Sequence, residues 1–210
     1  MPAFNPVIVS GEIDVERRLG DLELTTDQII SIGRVARSRH DDASPLMPMN
    51  APGSLAYIYG VEEMRHQIID ADWIADREMG VEAVVNHRLG VRIAYQNVDK
   101  ACSLHWKPHP RSAKGTGSEN LCGPSLFEHA GVDPGPLTNV KIDGLATYYV
   151  MVAEDASIEL SRPIIKNKTF YDFHERIFVN NLSDPWEDAI DTDNSPVDDF
   201  EIEVSLKDEA

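Results

Sequence analysis

Residues 147–179 read TYYVMVAEDASIELSRPIIKNKTFYDFHERIFV, and this stretch decides the fold class. Three segments in it, Thr147–Ala153, Ser157–Ile165 and Thr169–Val179, are dense in β-branched and aromatic residues. Short polar connectors separate them. Segments of this composition and length read as strands, and connectors this short join antiparallel neighbours. Ile158 and Leu160, then Phe170, Phe173 and Ile177, keep only part of a two-residue alternation. A broken alternation fits strands covered on both faces.

Toward the N-terminus, Val81–His87 and Val91–Asn97 read as two further strands, a hairpin around Leu89-Gly90. Helices precede them. Thr25-Thr26-Asp27-Gln28 is an N-cap sequence, whose side-chain oxygens can accept the orphan N–H groups of a first turn. The helix it opens offers Ile29, Ile30, Val35 and Ala36 to one face and runs to about Arg39. Pro45, Pro48 and Pro52 then predict a loop over residues 41–53. Met64, Ile68, Ala71 and Ala75 recur at helical spacing, which predicts a second helix from Val61 to Glu78, stopped by Gly80. Residues 1–24 are expected to form edge strands or an arm, with Val7–Val9 and Leu22–Leu24 as the extended pieces. Two N-terminal helices and a mainly antiparallel sheet in the second half make the class α+β.

The chain has 210 residues, 42% hydrophobic and 26% charged, which suits one α+β domain over residues 1–183 with an appendage. The appendage is acidic. Residues 184–210 hold eleven carboxylates against one lysine, a net −10 of the chain's −17. Within this tail Phe200, Ile202, Val204 and Leu206 alternate with Glu201, Glu203 and Ser205, a strand pattern over 199–206. Apolar runs such as Tyr148–Ala153 fall far short of the roughly 20 residues of a membrane span. No basic cluster followed by an apolar run opens the chain. The expected setting is the cytoplasm, or a virion for an assembly component.

The middle of the chain has the opposite charge. Residues 86–118 carry six bases (Arg88, Arg92, Lys100, Lys107, Arg111 and Lys114) against one acid, Asp99, and Trp106 and Tyr95 add aromatic surface. Cations interleaved with stacking groups are what a single-strand nucleic-acid channel uses. Arg88, Arg92, Lys100, Trp106, Lys107, Arg111 and Lys114 are therefore the nucleic-acid candidates. The plainer reading pairs these bases with the tail or with nearby carboxylates. Lys114-Gly-Thr-Gly-Ser118 is a Gly-rich turn without the spacing of a P-loop.

Cys102, His105, His109 and Cys122 are four soft or borderline ligands within 21 residues, a number that suits tetrahedral zinc. Their spacing is not that of two close pairs, so zinc is a minor expectation and no other cofactor is indicated. Cys122 precedes Gly123-Pro124, where a helix start would favour its thiolate. His174 follows 52 residues on, within a predicted strand. The order Cys, His, then Asn180, Asn181 or Asp184 resembles that of papain-like peptidases, which makes Cys122 and His174 candidates for a Cys–His hydrolase or transferase.

The reading that asks for no unusual pKa, metal or catalytic geometry is a non-enzymatic interaction protein. Its partner-binding residues are Asp198, Asp199, Phe200, Glu201, Ile202, Glu203 and Val204, an extended segment able to add to the edge of a partner's sheet. A nucleic-acid-handling partner would meet carboxylates in its phosphate sites, as with a phage- or plasmid-encoded inhibitor of a host protein. In a larger assembly such as a virion, the tail would join neighbouring subunits, and a homo-oligomer is compatible with this. The alternatives are a single-strand nucleic-acid binder with a regulatory tail and the Cys–His enzyme.

Overall fold

The computed structural model describes residues 6–122 and 145–180. Among these, the strands are β1 (Val7–Val9), β2 (Ile74–Asp76), β3 (Ala83–Asn86), β4 (Val91–Asn97), β5 (Ala146–Val152), β6 (Ile158–Lys166) and β7 (Thr169–Asn180). They form one mixed sheet in the order β1-β7-β6-β5-β4-β3-β2. The helices are α1 (Glu12–Asp21), α2 (Thr26–Asp41), α3 (Ala51–Ile68) and the short α4 (Thr116–Cys122). The α+β class holds, and antiparallel pairing dominates: only β1 with β7 and β4 with β5 run parallel. At the edge, Val7, Ile8 and Val9 stand opposite Glu175, Arg176 and Ile177.

Helices α1, α2 and α3 cover one face. Val15, Leu19, Ile29, Ile32, Ala36, Ala56, Val61 and Met64 pack there against Val91, Ile93, Tyr95, Tyr148, Val150, Val152, Leu160 and Ile177. The strand residues on this side alternate along β4 and β5, as a pleated strand requires. The N-cap of α2 forms as expected: Thr25 and Gln28 bond reciprocally, the capping box. Helix α1 is tied to the sheet by Arg18, whose Nε donates to Glu175 Oε1 at 2.7 Å while Tyr148 donates to Oε2 at 2.7 Å. Burial would raise the Glu175 carboxyl, yet Arg18 and Tyr148 hold it below the usual range.

Three sequence expectations are corrected here. Residues 12–21 are helical, not an arm or edge strand: Val15, Leu19 and Leu22 fall on one face at spacings of four and three. The second helix spans Ala51–Ile68, ten residues earlier than the spacing of Met64, Ile68, Ala71 and Ala75 predicts. Pro52 sits in its first turn, where no N–H is needed, so proline starts this helix and does not exclude it. Its end is set by Asp70, whose Oδ1 accepts from the N–H groups of Asp72 and Trp73 at 2.8 and 2.9 Å. That side chain competes with the helix for backbone donors, and Ile74–Asp76 becomes β2. Finally, Thr116–Cys122 forms α4, which starts inside the Gly-rich turn expected over Lys114–Ser118.

The opposite face is covered by α4 and the loop from Val98 to Gly115, over Ala94, Tyr149, Met151, Phe170, Phe173 and Phe178. This side is far more polar. Glu159 and Arg176 are fully buried and paired twice, at 2.6 and 3.0 Å. Glu159 also accepts from the Cys102 N–H and the Ser161 hydroxyl, both at 2.7 Å. Arg176 donates to the Ser103 and Trp106 carbonyls at 2.8 and 3.2 Å. The pair thus clamps loop 101–106 onto the sheet.

Gly60 marks the closest approach of α3 to β4. A Cβ there would lie 2.5–2.8 Å from three ring atoms of Tyr95. Tyr95 is fully buried and its hydroxyl donates to Asn97 at 2.6 Å, so the ring has no room to turn. Alanine would gain about 1 kcal/mol of helix propensity, against an overpacking cost of about 1–3 kcal/mol. Gly60→Ala should therefore lower stability by up to about 2 kcal/mol in urea denaturation. An unchanged or higher midpoint would show that the helix moves off the sheet freely.

Candidate functional site

Parallel strands β4 and β5 end side by side, and a cleft of about 750 Å³ opens beyond their carboxyl ends. Ligand crevices of open α/β sheets occupy this position, because successive chain connections diverge there. The walls are the C-terminal turn of α2 (Ala36, Arg37, His40), the first turns of α3 (Asn50 to Ile58), and residues that follow β4 and β5, including Arg111 and Glu154. Asn97 holds the floor together. It accepts from Tyr95, and its Nδ2 donates to the Gly53 carbonyl in α3 at 2.9 Å. The cations at the rim are internally paired: Arg37 with Asp41 at 2.6 Å and Arg111 with Glu154 at 2.7 Å.

A second cavity of about 230 Å³ shares Tyr57, Tyr95, Gln96 and Ser112 with the first and is bounded further by Glu82, Lys114, Gly115, Ser118 and Tyr149. The Tyr57 and Tyr95 rings, 6.2 Å apart, stand in the shared wall. Lys114 is 7% exposed. Its ammonium position is bonded to Gln96 Oε1 and lies 4.4 Å from the Tyr149 ring centroid and 5.3 Å from that of Phe170. Burial is the main force on this group and lowers its pKa to about 7; the nearby Cys122 acts weakly the other way.

The nucleic-acid candidates differ in setting and in partner. Arg88 lies in the β3–β4 turn, at the far end of β4 from loop 98–115, and is bonded to Glu23. Arg92 is buried on β4 with Nε 2.6 Å from Asp76. Lys107 reaches Asp172 at 3.0 Å. Lys100 stands beside Asp99, which accepts its backbone N–H at 2.8 Å. Trp106 is half-exposed, donates to Asp99 at 3.1 Å, and meets His109 edge-on with ring centroids 5.5 Å apart.

The zinc candidates are likewise dispersed. Cys102 is buried and its thiol donates to the Ile158 carbonyl at 3.1 Å. Desolvation, then the nearby Glu159, pushes that thiol's pKa up. His105 is exposed, and His109 Nδ1 pairs with Asp99 at 3.2 Å. Among the described residues, no three His, Cys, Asp or Glu side chains come together to hold a metal ion. Cys122 is buried in the loop-side core as the last residue of α4, and the residues leading into it are helical. His174 is half-buried on β7. Residues 181–210, with Asp198 to Val204 and the strand pattern 199–206, lie outside the described residues.

No family model matches the chain, no curated protein matches it, and no solved structure matches its fold. Among the described residues, no helix is long and apolar enough to cross a membrane.

Proposed function

We propose that the protein is an interaction protein whose acidic C-terminal segment, residues 184–210, engages a partner with a basic surface. One observation carries this reading. Cations of the 86–118 region are committed to carboxylates of the domain itself: Arg88 to Glu23, Arg92 to Asp76, Lys107 to Asp172 and Arg111 to Glu154. Lys114 is withdrawn into the interior. The region therefore lacks a concentrated positive face on which the tail's net −10 would fold back. The same commitment weakens a phosphate-binding channel, whose cations must be free to exchange counterions for phosphates.

A nucleic-acid-handling partner fits this charge best, because its phosphate sites accept carboxylates and its own fold supplies the cations. The alternating Phe200–Leu206 segment would add register, with apolar side chains seated in pockets along a sheet edge. A mobile-element inhibitor of a host protein is the biological form such a competitor takes.

Affinity capture from native-host lysate tests the reading, comparing the full chain with one ending at Ser183 and with Phe200→Ala combined with Ile202→Ala. A defined protein should be recovered by the full chain alone and be released by salt. Recovery of the same protein by the shortened chain would overturn this reading, and recovery of nucleic acid by it in equal or larger amount would replace it with the single-strand binder.

A further inference from the structure

We propose that Lys114 is a carbonyl-capturing amine, and that the small cavity it lines takes an uncharged aldehyde or ketone as an imine. This goes beyond the interaction reading and does not depend on it.

The geometry has three parts. Among the described residues the amine touches no carboxylate: its contacts are the Gln96 amide oxygen and the faces of Tyr149 and Phe170. A buried ammonium in purely structural service is normally paired with an anion, since desolvation otherwise favours the neutral amine. Beside the amine is space, about 230 Å³, walled by Tyr57, Tyr95, Tyr149, Gln96, Ser112 and Ser118. The Tyr149 hydroxyl is buried next to Ser118 and Cys122, and burial raises its pKa, so it remains a proton donor at neutral pH.

A neutral amine surrounded by aromatic walls is the arrangement that activates a lysine nitrogen as a nucleophile. The nitrogen lone pair adds to the carbonyl carbon, and the oxygen takes up a proton to give a carbinolamine. Loss of water then leaves a C=N bond. Both hydrogens of the amine depart with the carbonyl oxygen, so no oxidant or reductant is needed. Glu82 in the same wall is held ionised by Arg65 and Arg77, and it disfavours a ligand that brings its own carboxylate. The charged and titratable groups around the amine are thus Tyr57, Glu82, Tyr95, Cys122 and Tyr149.

The chain's seven lysines make the test internally controlled. The full chain is treated with propanal and cyanoborohydride near neutral pH, digested, and mapped by peptide mass. At pH 7 roughly half of Lys114 is unprotonated, against about one in three thousand of an ordinary lysine. Lys114 should therefore carry the propyl mark at least about tenfold ahead of the other six, even after a loss for restricted entry. The lead should vanish in urea, and glyoxylate should mark Lys114 less than propanal does. Marking of the other lysines first, or an unchanged lead in urea, overturns the proposal. Lys114→Met should abolish the early mark while thermal melting shows the chain still folded.

Discussion

Replacing Arg176 with methionine should lower stability by about 3–5 kcal/mol, because it strands Glu159 in the interior as an uncompensated carboxylate. Glu159 has no exposed surface, and Arg176 provides two of its hydrogen bonds. The Ser103 and Trp106 carbonyls lose their donor in the same step. Glu159→Leu alone should cost a comparable amount for the mirror reason, leaving a buried guanidinium and an unpaired Cys102 N–H. The double variant should lose clearly less than the two single losses summed, since neither charge is then stranded. Urea denaturation of the four proteins measures this. A loss under about 1 kcal/mol for Arg176→Met would mean that water reaches the pair. The clamp on loop 101–106 also predicts faster proteolytic cutting near Trp106 in the single variants.

Lys114→Met should act in the opposite direction and stabilise the fold at neutral pH by a few kcal/mol. The unfolded lysine binds its proton up to about pH 10.5, and the folded one only up to about pH 7. Between these values the unfolded state holds more protons, so stability from this group rises with pH across that window. Below pH 7 both states are protonated and the penalty is at its full value. Each pKa unit is worth about 1.4 kcal/mol, which sets the scale. Methionine removes the penalty and keeps much of the side-chain volume, at the loss of one hydrogen bond to Gln96. The advantage over the unsubstituted protein should shrink as pH rises from 7 toward 10.5. The comparison must be made between the two proteins. Cys102, Tyr95, Tyr148 and Tyr149, whose protons the fold retains, titrate with the reverse sign in the same range. A gap that stays constant across the window would place the Lys114 amine in contact with water.

These two side chains show where reading the sequence succeeds and where it stops. Strands β4 to β7 and the start of α2 were legible because their signals are local: β-branched runs, short polar connectors, a threonine cap. Helix α3 was misplaced because Ala71 and Ala75 continue a helical spacing that Asp70 has already ended through two side-chain bonds. Lys114 was legible only as a charge. Its burial depends on Gln96, Tyr149 and Phe170, which three different strands bring to it, and no spacing in the 86–118 segment reports that. The cleft is likewise assembled from the ends of α2, α3, β4 and β5, and Arg37, Arg111 and Glu154 at its rim announce themselves by charge alone. The pairing of Arg88, Arg92, Lys107 and Arg111 with distant carboxylates was hidden for the same reason.

The parallel seam between β1 and β7 also bears on how the chain acquires its fold. Val9 finds its place opposite Ile177, at nearly the full span of the domain. A pairing of such sequence separation bears a large closure entropy and enters the folding reaction late. During synthesis β1 has no partner among the described strands until β7 follows it. The helices can gather on β3 and β4 meanwhile, but the edge of the sheet waits. A segment made early is thus completed late, and a chain ending before Glu175 would leave Val7–Val9 without its partner strand.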